Sequence, residues 1–386
     1  MSHSDAPYAW LPDHQLHVTH TLAHVDHTID QALRLIHAYS EQGPLTLGEV
    51  AEDDRSHMVV KAIAPLPAAI PRLVADALTQ LRAALEHTLY AEVESLLGRP
   101  LTKEEAPRIE VPATATERDF DQWLRGRRRA DIPPLVAGEP LVERLRRLQP
   151  FQQMDSDDHP LRVLAMHTNL AKHRMPALAA TRVGAVYPDT PDKGVEVAIA
   201  PDPGAGRSIA LTEGSVLATV PRGEQIFLNV FPTVALQRPH TEAWIVAAAE
   251  LGALEKWVRT VAIPTLVTGA ADVSNLPPQL DITTGHNDAR QALLGAGHMP
   301  AADRATARIS AAVSRASLVD LLAPLPDSPR RDVLHAWIAS LDDAQVLERV
   351  HRLAAGQVVA LVGILAEAHQ FAAAQGPGSR SAAGGR

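Results

Sequence analysis

The chain of 386 residues contains no cysteine. Disulfides, thiolate metal sites and cysteine nucleophiles are excluded together. Aromatic residues make up only 4%, so Leu, Val, Ile and Ala have to fill the core, which favours packed helices over an aromatic-rich sandwich. No window approaches the roughly 18 uninterrupted apolar residues of a membrane helix. The best stretch, "QVVALVGILAEAH", is too short and ends in charge. The start, "MSHSDAPYAWLPDH", lacks a basic segment followed by an apolar one. A cytoplasmic protein without membrane contact is expected. Also missing are a Walker loop, a Gly-x-Gly-x-x-Gly after a strand, a Gly-x-Ser-x-Gly elbow and a His-Glu-x-x-His pair. Nucleotide-dependent, α/β-hydrolase and zincin chemistries are disfavoured, and no cofactor is expected. The net charge of -9 argues against broad coating of nucleic acid, while a local basic cleft stays open.

What is present is mostly helical periodicity. Val18, Leu22, Val25, Ile29, Leu33 and Ile36 recur at steps of three and four over residues 14–39. Val74, Leu78, Leu81, Leu85, Leu89, Val93 and Leu96 do so over about 70–97, where Gly98 and Pro100 end the pattern. Between these helices, two apolar stretches around "EDDRS" predict a β-hairpin. Short helices are expected at "ERDFDQWLRGRRR" and "PLVERLRRLQPF", and a nearly all-apolar helix from Pro160 to about Arg174, capped by Asp158 or His159. After Pro176, alternation in "GVEVAIA", "SVLATV" and "QIFLNVF" predicts an antiparallel sheet of three to five strands, and residues 241–262 return to helix. The expected class is α+β, mainly helical: a helical bundle with an antiparallel sheet and an appended C-terminal helical domain. The expected division is a disordered leader (1–13), a core (14–265), a linker (266–290), a C-terminal helical domain (291–372), with Ser328 capping one of its helices, and a disordered tail (373–386).

The stretch "ALTQLRAALEHTLY" places Arg82 and His87 five residues apart on the second long helix. Five residues turn a helix by about 500°, so the two side chains leave it roughly 140° apart. Arg82 lies at the edge of the Leu stripe, within reach of Glu86 four residues on, a pair worth about 0.2–0.5 kcal/mol on an exposed helix. Alternatively, both belong to a cleft for cleaving RNA, in which His moves protons near neutrality and Arg offsets charge on the phosphate. A second helix or subunit would then complete the cleft. "HTNLAKHRMP" supplies Asn169 and His173 on one helix face, beside Lys172 and Arg174. The last three also serve as cations opposing a helix dipole.

The order "AIAPLPAAIPRLVADALTQLRAALEH", "RLQPFQ", "HPLRVLAMHTNLAKHRMP", "LTEGSVLATVP" resembles a family of uncharacterised bacterial proteins with an Arg-x4-His helix and a buried helix ending in Lys-His-Arg. The resemblance covers roughly residues 15–265. Arg82 to His87 by itself is similar to the catalytic motif of the HEPN superfamily. That similarity implies a metal-independent ribonuclease of the toxin or phage-defence type. It also implies a homodimer, with Arg82 binding phosphate and His87 transferring a proton on RNA. The opposing expectation is a non-catalytic interaction module that meets a protein partner through its C-terminal helices.

Of 18 histidines, His14, His17, His20, His24 and His27 lie at steps of three and four, along a face about 140° or more from the Val18, Val25 and Ile36 stripe. His20 and His24 are the best-spaced pair for Zn²⁺ or Ni²⁺, although a metal site usually needs a third ligand. A plain polar face and a pH-responsive contact are the other readings. Asp155, Asp157 and Asp158 in "MDSDDHP" suit a helix cap or a divalent cation, and "RGRRRAD" suits phosphate or a solvated loop.

Overall fold

The structure is a computed structural model that describes residues 7–126, 131–173, 176–188, 194–198, 206–224, 227–355 and 358–374. It is α+β and mainly helical, as expected. The chain divides into two units, Met1–Ala302 and Asp303–Arg386.

In the first unit, α1 (Leu16–Glu41) packs along α2 (Ala69–Leu97). Their period-3.6 stripes are the reason: Val18, Leu22, Val25 and Ile29 face Val74, Leu78, Leu81, Leu85 and Leu89, all almost completely buried. Each such side chain contributes roughly 1.5–3 kcal/mol by leaving water. Gly98 ends α2 with φ 66°, a left-handed conformation that a side chain would strain. Between the helices lies the expected hairpin, β1 (Leu45–Glu52) and β2 (Arg55–Ile63), turning at Asp53–Asp54. After α2 come α3 (Glu117–Arg125), α4 (Pro140–Arg147) and α5 (Pro160–His173). His159 caps α5, its Nδ1 accepting the Leu161 N–H at 3.1 Å.

The strands are β3 (Ala179–Pro188), β4 (Glu196–Val197), β5 (Val216–Pro221), β6 (Leu228–Gln237) and β7 (Trp244–Val246). They do not form the single sheet expected. One antiparallel sheet has the order β1-β2-β5-β4 and the other β3-β6-β7. Alternation marks a strand but not its partner. The hairpin joins β5 because the inner faces of both sheets bury together around Val60, Val183, Val186 and Leu217.

Residues 241–262 are also corrected. β7 takes 244–246, and α6 (Ala247–Trp257) runs through a π turn (Val258–Ala262) into α7 (Ile263–Thr268). Gly252 permits close packing there, since a Cβ would sit 2.7 Å from that of Ala302. Nor are residues 7–13 a loose leader: Tyr8 and Leu11 are buried, and the Trp10 indole donates to the Ser274 carbonyl at 2.9 Å. The same contacts absorb the expected linker at 266–290. Leu276, Leu280 and Leu293 are buried, Arg290 donates to the Leu11 carbonyl at 2.8 Å, and α8 (Ala289–Gly295) follows. The boundary therefore falls after Ala302, not before residue 291.

The second unit contains most of α9 (Ala301–Leu322), with α10 (Arg331–Ser340), α11 (Asp343–Ala354) and α12 (Val358–Ala374). Its core is Leu318, Leu322, Leu334, Trp337, Ile338, Val346 and Ile364. Asp342 and Gln345 form a reciprocal capping box at α11. Ser328 does not cap α10, which begins at Arg331 after the extended Arg330. Residues 1–6, 127–130 and the tail from 375 lie outside the described residues. Among the described residues no helix is long and apolar enough to cross a membrane.

Candidate functional site

On α2, Arg82 and Glu86 are paired, Nη2 to Oε1 at 2.5 Å, with Arg82 only 13% exposed. Together they grip one residue of the segment leading to α3. The Val111 N–H donates to Glu86 Oε2 at 2.8 Å, and its carbonyl accepts a short bond from Arg82 Nη2. Val111 is thereby buried, and the chain beyond it is held by Gln149, whose Oε1 accepts from the Thr114 N–H. Burial pushes the Glu86 carboxyl above its ordinary value, more than Arg82 and the Val111 N–H pull it down. Arg82 Nη1 is buried with no hydrogen-bond partner.

His87 leaves the helix on the other side. It is exposed, and its ring centroid lies 6.4 Å from that of His17 on α1. His17, His20, His24 and His27 are exposed along α1, as their spacing predicts. His14, in the turn before α1, is also exposed, and its Nε2 meets Glu92 Oε1 at 2.8 Å, where Glu92 also accepts from Gln15 at 2.8 Å. Among the described residues, no three of His, Asp and Glu could hold a metal ion together.

At the end of α5, Asn169 and Lys172 are exposed. His173 is the last helical residue, and its side chain lies outside the described residues, as does Arg174. The polar cluster associated with α5 lies elsewhere. His167, on its apolar side, is 1% exposed, and its Nε2 is 3.6 Å from Glu250 Oε1 on α6, too long for a hydrogen bond. Arg238, just after β6, forks onto Glu250 with two bonds of 2.8 Å and also pairs with Asp158. Burial would raise the Glu250 carboxyl, but the Arg238 fork and His167 outweigh it and leave it below its ordinary value. The Asp155–Asp158 run thus serves the start of α5. Asp158 meets Arg238, Asp157 lies 3.6 Å from Arg162, and the Asp157 carbonyl meets His240 at 2.8 Å.

His167, Glu250 and Arg238 escaped sequence reasoning. The available signal was a lone histidine and a lone acid inside apolar helical stretches, "RVLAMHTNL" and "AAAELGALE". His167 and Glu250 are 1% and 2% exposed, so the contact is sealed from solute, and both His167 ring nitrogens are buried without a hydrogen-bond partner. Comparison with family models, with curated proteins and with solved structures finds no match to this chain.

Proposed function

We propose that the chain is a non-catalytic protein-interaction module whose docking surface lies on the C-terminal helices. The observation that carries this is the outer side of α9, where Ile309, Val313 and Leu321 are 49%, 55% and 52% exposed. They are spaced by small exposed residues, Ala316 and Ser317, so a second helix could approach closely. A second copy of the chain fits this stripe best, because matching apolar and small side chains can interdigitate about a two-fold axis. The Arg82–Glu86 grip on Val111 agrees with such a reading, since it gives that arginine a structural task and leaves His87 on a separate face.

Sedimentation of the full chain and of Val313→Asp at micromolar concentration tests it. A dimer that dissociates in the variant, with the helix content by circular dichroism unchanged, is expected. A wild-type monomer at these concentrations counts against the proposal, as does a variant whose circular dichroism shows a loss of helix. Incubation with single-stranded RNA in the absence of metal provides the second arm. Cleavage by the wild type that disappears in both Arg82→Ala and His87→Ala would reinstate the ribonuclease expectation.

A further inference from the structure

We propose that His17 and His87 form a cross-helix binding site for one borderline divalent ion, of the Zn²⁺, Ni²⁺ or Cu²⁺ kind. The two histidines are seventy positions apart in the sequence. Packing of α1 against α2 brings the two rings to 6.4 Å between centroids, tilted by 52°. His17 Nδ1 lies 3.0 Å from the His14 carbonyl. A carbonyl can only accept, so Nδ1 carries the proton and Nε2 keeps its lone pair. Metal-binding imidazoles are held in this way, with one ring N–H tied to a backbone oxygen and the other nitrogen free to ligate.

The surroundings keep the pair competent. Burial, together with the charges that His87, His14 and His20 would carry, lowers His17 below the ordinary histidine value, more than the bond to the His14 carbonyl raises it. Its neighbour His14 is engaged with Glu92 and does not compete. Imidazole–metal bonds of about 2.0–2.1 Å require the two ligating nitrogens within about 4 Å of each other, so the rings must turn toward one another from their 6.4 Å centroid separation to share an ion. With no third protein ligand placed nearby among the described residues, water completes the coordination.

The test uses the full chain purified without an affinity tag, titrated calorimetrically with Zn²⁺ and, separately, Ni²⁺ at neutral pH. One ion per chain is expected, with His17→Ala and His87→Ala each weakening binding by about tenfold or more and His24→Ala leaving it unchanged. Circular dichroism confirms that each variant is folded. In the wild type, Ni²⁺ should broaden the ring signals of His17 and His87 before those of His24 and His27. The proposal is overturned by an absence of binding, by full binding in His87→Ala, or by equal losses in His24→Ala and His87→Ala. The last result would assign the ion to the α1 face alone.

Discussion

Arg82 and Arg238 are both shielded arginines gripping a glutamate, yet they differ in what they join. Arg82 pairs with a residue one turn along its own helix, and the pair then clasps the backbone of Val111. Arg238 reaches from the end of β6 to Glu250 on α6 and to Asp158 before α5, linking three segments far apart in sequence. Glu250 is 2% exposed against 29% for Glu86. The desolvation at stake is therefore larger around Arg238, and so is the penalty for leaving one partner alone. A local pair fastens a loop, whereas a long-range pair fixes the arrangement of a domain.

Glu250→Ala tests this contrast most severely. Removing the carboxylate takes away the Arg238 fork and leaves that shielded guanidinium with Asp158 alone, and a loss of about 3–5 kcal/mol is expected in urea unfolding. A loss smaller than that of Arg82→Ala would break the comparison. Acid should act next on the same region, through His159. Its imidazole is buried against Trp257, ring centroids 5.5 Å apart, and burial lowers it from 6.5 to about 4. Between those two values the unfolded chain takes up a proton that the folded chain refuses. Stability is thus full above pH 6.5 and falls as the pH drops toward about 4, by up to about 3 kcal/mol. His159→Asn, which can still cap α5 but does not titrate, should flatten that part of the profile of melting temperature against pH. Arg82→Ala is expected to cost about 1–3 kcal/mol, because it leaves the Val111 carbonyl without its donor and the Glu86 carboxylate with the Val111 N–H alone. His87→Ala, on the exposed side of the same helix, should stay within about 0.5 kcal/mol. Equal losses at 82 and 87 would mean that the two faces of α2 are not distinct in the way described.

The features that were readable in advance are local ones. The stripes of α1 and α2, the hairpin at Asp53–Asp54, Gly98 as a stop and the Arg82–Glu86 pair all follow from residues within a few positions of each other. Misreadings arose wherever a distant segment intervened. Residues 7–13 look like a leader until Ser274 and Arg290 tie them down, and "VTGAADVSNLPPQLDITTGHN" looks like a linker until Leu276 and Leu280 are seen to be buried. His87 was grouped with Arg82 by sequence proximity, but its neighbour in space is His17, some seventy positions earlier.

By itself the sequence determined the long helices α1 and α2, the first hairpin and the apolar side of each, because hydrogen-bond geometry fixes a period of 3.6 or 2 and hydrophobic side chains report it directly. Tertiary structure alone decided that β2 pairs with β5, that Arg238 locks Glu250, and that two exposed imidazoles meet across α1 and α2. Those outcomes depend on which apolar faces are buried together, a property of the whole chain that no single stretch of it encodes.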